Sequence, residues 1–169
     1  PGSRWLEIMR SAHRVGLPTN ATILYGHVEM PEERVDHLLA LRELQDETGG
    51  FRAIVPLSFH PAHTRLTDVV KDRTSATDDL RMIACCRLVL DNFPHVKALG
   101  NYLGYKMSQV ALLFGADDLG GTSLDEKIVK AAGGTPPPGL AADPAAWETV
   151  IAGAGRVSCR TPSHYPGEA

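Results

Sequence analysis

The residues best suited to chemistry stand in four pairs: His27 with Glu29, Ser58 with His60, Asn101 with Tyr102, and Asp117 with Asp118. Each pair follows a short run of β-branched or apolar residues, and parallel α/β folds bind their ligands at the C-terminal ends of strands. Imidazoles, carboxylates, hydroxyls and a carboxamide gathered on one rim could bind an anionic substrate, move a proton or meet the polar edge of a cofactor. Each position also has a plain structural reading. A loop histidine can bond to backbone, Glu29 can favour the start of the next helix through its dipole, and Asp117-Asp118 can close a turn. His60-x-x-His63 has metal-ligand spacing but lies on a Pro-interrupted loop without an evident third ligand, so no metal site is expected. His37, His95 and His164 belong to no constellation.

Ordinary catalytic motifs are absent: there is no G-x-G-x-x-G after a strand, no P-loop lysine and no G-x-S-x-G elbow. The three cysteines, Cys85, Cys86 and Cys159, form no C-x-x-C pair and no even disulfide framework, which points to a reducing, cytoplasmic setting. Cys85 and Cys86 read as small apolar residues of a helix. Over 169 residues the chain is 43% hydrophobic and 22% charged, in the range of one globular domain able to bury a core. The net charge of −3 comes from interspersed signs, so nucleic acid and membrane surfaces are not expected partners. The chain opens Pro1-Gly2-Ser3 with neither an initiating Met nor a signal-peptide pattern, and is expected to be a piece of a longer protein.

The elements that must position these pairs follow from periodicity. Trp5, Ile8, Met9 and Ala12 recur at helical spacing before Gly16. Residues 19–26 are short, β-branched and nearly uncharged, as in a strand buried on both faces. Pro31 with Glu32 and Glu33 opens a helix carrying Val35, Leu38 and Leu39, which ends near Gly49-Gly50. Residues 51–59 form a second strand. Ser75 to Asp78 caps a helix with Leu80, Ile83, Ala84 and Leu88 on one face, and 95–103 is a third, weaker strand. Met107, Val110, Ala111 and Phe114 mark the next helix, 115–119 a short fourth strand, and Ser123-x-x-Glu126 another cap. The order is a helix followed by four βα units, which requires right-handed parallel crossovers. The fold class is α/β, either an open doubly wound sheet or half of a (β/α)8 barrel. Domain boundaries are read as 1–132 for the βα units, 133–142 for a Pro/Gly linker, and 143–169 for a helix and irregular tail.

Several segments closely resemble one family. Thr19-Asn20-Ala21-Thr22-Ile23-Leu24-Tyr25-Gly26-His27-Val28-Glu29, Leu41-Arg42-Glu43-Leu44-Gln45-Asp46-Glu47-Thr48-Gly49-Gly50-Phe51, Pro56-Leu57-Ser58-Phe59-His60-Pro61 and Gln109-Val110-Ala111-Leu112-Leu113-Phe114-Gly115-Ala116-Asp117-Asp118 look like the C-terminal half of the radical S-adenosylmethionine (SAM) enzymes of the futalosine route to menaquinone. Residues 57–61 and 116–119 look more like aminofutalosine synthase than like the dehypoxanthinyl enzyme of the same route. Cyclic dehypoxanthinyl futalosine synthase and the enzymes that build the deazaflavin FO share parts of the pattern.

The resemblance implies strands five to eight of a radical SAM (β/α)8 TIM-type barrel. It implies SAM and a [4Fe-4S] cluster as cofactors, with the cluster's C-x-x-x-C-x-x-C loop on an N-terminal half that this sequence does not contain, so that this chain would be inactive alone. The complete enzyme would add the 5′-deoxyadenosyl radical to 3-[(1-carboxyvinyl)oxy]benzoate and give aminofutalosine. Flavodoxin or ferredoxin would supply the electron, and the N-terminal half-barrel would be the protein partner. Leu24, Gly26 and Glu29 resemble the G-x-I-x-G-x-x-E signature beside the adenine, with Thr22 in place of its first Gly, and Val55 and Pro56 would meet the adenine edge. The dicarboxylate substrate would be met by His27, Ser58, Asn101, Tyr102 and Asp117, with His60 as its catalytic partner. Leu99-Gly100 departs from the aromatic residues common in the family. A non-catalytic half-barrel that survives as a binding or assembly module is the rival reading.

Overall fold

The computed structural model describes residues 1–121, 127–132 and 143–161. The Ser123-x-x-Glu126 cap, the 133–142 linker and His164 lie outside the described residues. Helix α1 (Gly2–Arg14) precedes strand β1 (Thr19–Tyr25), helix α2 (Pro31–Thr48), strand β2 (Phe51–Ser58), helix α3 (Ala76–Val89) and strand β3 (His95–Leu99). Two short helices follow, α4 (Gly100–Leu103) and α5 (Tyr105–Ala111), then strand β4 (Asp118–Gly120), helix α6 (Ile128–Ala131) and helix α7 (Pro144–Gly153).

The four strands form one parallel sheet in the order β1-β2-β3-β4. Leu24 pairs with Leu57, Tyr25 with Ser58, Ile54 with Val96, and Leu99 with Gly120. Strand order never reverses, unlike in a doubly wound sheet, where reversal creates the ligand crevice. Ala21, Ile23 and Tyr25 of β1, Ile54 of β2, and Val96 and Ala98 of β3 pack against Leu38, Leu41, Met82, Ile83 and Cys86 from the helices. Burying side chains such as Phe51, Ile54 and Phe93 contributes about 1.5–3 kcal/mol each. The other face of β1 is open: Asn20, Thr22 and Leu24 are exposed. The strand is therefore buried on one face, not both, because no described residue covers the second.

Local chemistry sets the element ends. The Glu33 carboxylate accepts the Met30 N–H at 2.7 Å to start α2, and Gly49, at φ 61°, ends it with its N–H on the Gln45 carbonyl. Buried Gln45 then accepts from the Phe51 N–H at 2.7 Å and donates to its carbonyl at 3.0 Å, pinning the first residue of β2. Ser75 caps α3 by accepting the Asp78 N–H, and Asp143 caps α7 by accepting the Ala145 N–H.

Several expected faces turn differently. On α2 the buried stripe is Leu38, Leu41, Leu44 and Gln45, which leaves Val35 and Leu39 flanking it in solvent. On α3, Met82, Ile83 and Cys86 take the core while Leu88 is exposed. Of the two adjacent cysteines only Cys86 is buried, and burial pushes its thiol up to about 12. β3 stops at Leu99 because residues 100–103 close a helical turn, the Gly104 N–H bonding the Gly100 carbonyl. α5 ends at Ala111, so Phe114 lies beyond it and is exposed.

His13 ties α1 to the layer beneath. Its ring nitrogens lie 2.7 Å from Thr48 Oγ1 and 2.8 Å from Thr19 Oγ1, and its edge meets the Phe51 ring at 4.6 Å. Phe51 itself stacks on Trp5 and Phe93.

Two predictions follow from this packing. Among the described residues the second face and the outer edge of β1 are uncovered, and with half-exposed Leu24 they form a surface for pairing between copies. Sedimentation of the 169-residue chain alone is expected to show concentration-dependent self-association, and a single monomeric species across concentrations would refute this. Burial holds the His13 pKa below its unfolded value of 6.5, so the unfolded chain binds more protons as pH falls. The stability His13 confers is therefore complete above pH 6.5 and lost as pH drops below it. At fixed protein concentration, the fall in melting temperature between pH 7 and 5.5 is expected to shrink in His13→Gln; an unchanged fall would exclude His13 as its source.

Candidate functional site at the strand C-termini

The rim is organised by the end of β1. Tyr25, fully buried, donates its hydroxyl to Asp79 Oδ1 at 2.8 Å, and Thr74 donates to the same oxygen at 2.6 Å. Burial, reinforced by the Asp79 charge, holds the Tyr25 phenol far above its ordinary range. These bonds draw the 74–79 segment onto the β1 loop, where Gly26 has φ 86° and a Cβ at position 26 would collide with Thr74 Cγ2. A glycine is therefore required there both for its backbone angle and for the close approach.

Glu29 folds back beneath this loop. Its carboxylate accepts the Gly26 N–H at 2.5 Å and the His27 N–H at 2.8 Å, meets His27 Nδ1 at 3.0 Å, and pairs with the Arg34 guanidinium at 2.6 Å. Burial would raise its pKa, but the backbone N–H groups of Gly26, Glu29 and His27 and the Arg34 cation outweigh it and hold the group below the usual carboxylate range. Glu29 thus shapes the loop, and His27 is held at 6.0 Å, edge-on to Phe59.

Across the rim, the Phe59 N–H bonds the Tyr25 carbonyl at 2.8 Å and carries the β1–β2 pairing past the strand end, delivering the chain to His60. His60 is 6% exposed, and its Nε2 has no hydrogen-bond partner. The ring stands edge-on to Tyr102 at 5.4 Å. Burial, then the Arg73 cation, depresses its pKa, against an opposing pull from Asp79, so the imidazole is neutral at pH 7. Ser58 Oγ, two residues earlier, is likewise buried and unpartnered.

A cavity of about 330 Å³ opens here, lined by His60, Arg73, Thr74, Asp79, Asn101, Tyr102 and Met107 among others. The volume lies within the range of small-molecule sites. Of the residues expected from sequence, it gathers His60, Asn101 and Tyr102. Gly26, His27 and Glu29 occupy the neighbouring loop, joined to the cavity through Thr74. Leu24 and Val55 belong to the open face of the sheet, whereas Pro56, paired with Ile23, faces the helices. Asp117 is not brought to this rim. β4 begins after it, so Asp117 sits at the opposite end of the sheet, accepting the Val96 N–H at 2.8 Å and meeting Arg87 at 3.0 Å and His95 at 3.1 Å. Sequence reasoning missed Tyr25, Arg73, Thr74 and Asp79: Tyr25 lies inside a strand, and the other three lie in the polar stretch that runs into the first turn of α3.

Among the described residues no three of His, Cys, Asp and Glu converge as a metal site, and no helix is long and apolar enough to cross a membrane. His63, at φ 60°, is exposed in the loop beyond His60.

Over 138 residues, 80% of its length, the chain is 51% identical to aminodeoxyfutalosine synthase of Thermus thermophilus, of which it covers 37%. It is 44% identical over 167 residues, 98% of its length, to the 5-amino-6-(D-ribitylamino)uracil–L-tyrosine 4-hydroxyphenyl transferase of Methanosphaerula palustris, covering 45% of that protein. It is 40% identical over 167 residues to transferase 2 of the same description from Methanosarcina mazei, covering 43%. The chain thus spans less than half the length of these curated relatives. Residues 48–139 match the family described as the CofH/MqnC C-terminal region, and the chain belongs to that family.

Proposed function

We propose that this chain is the C-terminal half of a (β/α)8 barrel in a radical SAM transferase, one that joins the 5′-deoxyadenosyl group to the enolpyruvyl group of 3-[(1-carboxyvinyl)oxy]benzoate and, with rearrangement and loss of the enolpyruvyl carboxylate carbon, gives aminofutalosine. The 51% identity to the Thermus thermophilus aminodeoxyfutalosine synthase is the observation that carries this reading. Sequential parallel order and a free β1 edge support the barrel, since an N-terminal half could continue the sheet there.

The residues present fit SAM at the end of β1. Leu24, half exposed and paired with Leu57, offers an apolar floor, and Gly26 leaves the adjoining loop backbone in close reach. When bound, SAM supplies the group that is transferred. The residues present do not fit an iron–sulfur cluster, because Cys85, Cys86 and Cys159 form no ligand loop. This chain's share of the work is to bind and orient: Glu29 braces the loop that borders the nucleoside, while neutral His60, which lines the cavity and has an unpartnered Nε2, can donate to a substrate carboxylate or pass a proton to product. Ser58, Asn101, Tyr102 and His27 complete the polar rim. As a fragment it has no activity alone, and the complete enzyme works in the cytoplasm with flavodoxin or ferredoxin as its reductant.

The archaeal relatives favour a second reading, because their similarity extends over up to 98% of the chain. In that reading the complete enzyme acts on 5-amino-6-(D-ribitylamino)uracil and tyrosine. Supplying the complete enzyme with either substrate set, and identifying the nucleoside product by mass spectrometry, separates the two.

For the menaquinone reading, replacing His60 by Gln in the complete enzyme is expected to lower kcat/KM by roughly ten- to a hundredfold, since a hydrogen bond to a charged group is worth about 1.5–3 kcal/mol. SAM cleavage without substrate is expected to change far less. Wild-type product formation by His60→Gln would remove His60 from the site.

A further inference from the structure

An exposed cation, Arg73, stands in the wall of the rim cavity. Arg73 donates from Nη2 to the Tyr102 carbonyl at 3.0 Å, and among the described residues no carboxylate lies within ion-pair distance of it. Beside it stands His60, nine-tenths buried, with Nε2 unpartnered. A buried polar nitrogen without a partner costs free energy that a ligand can recover. The one acidic group in the wall, Asp79, has its Oδ1 already taken by the Tyr25 and Thr74 hydroxyls. Tyr102 and Met107 supply apolar surface next to the cation.

We propose that Arg73 and His60 together form a carboxylate subsite, Arg73 presenting its guanidinium fork and His60 its Nε2–H, and that Arg73 determines which substrates the rim accepts. This rests on the reading of the cavity as the substrate site and adds the group that recognises the acid. Neutral His60 suits the role. With its proton on Nε2 it donates without placing a buried positive charge beside the exposed Arg73 cation. The planar fork matches a carboxylate in two parallel bonds, which an ammonium cannot reproduce.

The test uses the complete protein labelled with ¹⁵N-histidine, the His60 signal being assigned by its loss in His60→Gln. Titration with sodium benzoate is expected to move that signal saturably. Arg73→Gln is expected to raise the benzoate Kd at least tenfold, with Arg73→Lys between the two. In turnover assays Arg73→Gln is expected to raise KM tenfold or more while kcat falls less than threefold, a split that general damage to the fold would not give. An unmoved His60 signal, an equal Kd in Arg73→Gln, or a response to inorganic phosphate but not to benzoate would overturn the carboxylate subsite. If benzoate binding responds as expected while the complete wild-type enzyme does not turn over the enolpyruvyl substrate, the subsite stands and the assigned reaction fails; if Arg73→Gln turns that substrate over with an unchanged KM, the role of Arg73 falls.

Discussion

The rim depends on one buried hydrogen bond, between Tyr25 at the end of β1 and Asp79 in the first turns of α3. A buried carboxylate is costly unless its lone pairs are met, and Asp79 meets this requirement with two hydroxyls from segments far apart in the chain. Satisfying it fixes where the 74–79 segment lies. Thr74 then presses on the β1 loop, so position 26 has no room for a side chain, and Arg73 is left at the mouth of the cavity beside His60. One electrostatic constraint therefore couples the loop bordering the proposed nucleoside site to the residues proposed to meet the substrate.

The sheet imposes a second constraint. Parallel strands need helical crossovers, and in this chain the helices carry the apolar stripes that cover one sheet face. β1 presents Asn20, Thr22 and Leu24 on the other. A barrel solves this by closing on itself, filling its interior with side chains and removing its edges. The alternation in β1 is what an interior-facing strand requires, and it has that form whether or not the rest of the polypeptide is present.

How much of this was legible depended on the range of the forces involved. Strands β1 and β2, helices α1 to α3 and the cap at Ser75 follow from local periodicity and capping chemistry, and the sequence pattern carries both. Helix rotation is set by which neighbours arrive, so Val35, Leu39 and Leu88 read as core and lie in solvent. The third strand reads four residues too long because its apolar pattern does not distinguish an extended segment from the helical turn of Gly100–Leu103. Asp117 reads as a rim residue because the sequence pattern starts the fourth strand three residues early, and with a strand only three residues long that difference carries a side chain from one end of the sheet to the other. The Tyr25–Asp79 bond joins residues 54 positions apart, and no local pattern announces it.

Hydrogen-bond satisfaction separates residues that sequence alone ranks together. Glu29 and His60 both follow a strand and both look chemical. Glu29 spends its oxygens on the Gly26 and His27 N–H groups and on Arg34, so it has become part of the loop it supports. His60 is at least as well buried, yet its Nε2 remains unmet, and Ser58 beside it has the same lack. Of these two residues it is His60 that lines the rim cavity, where a ligand's own acceptor could complete its Nε2. Since burial first, and then the Arg73 cation, keep the His60 pKa depressed, the unmet nitrogen is best suited to give a hydrogen bond to an acid, which ties the chemistry of the rim to the electrostatics of its wall.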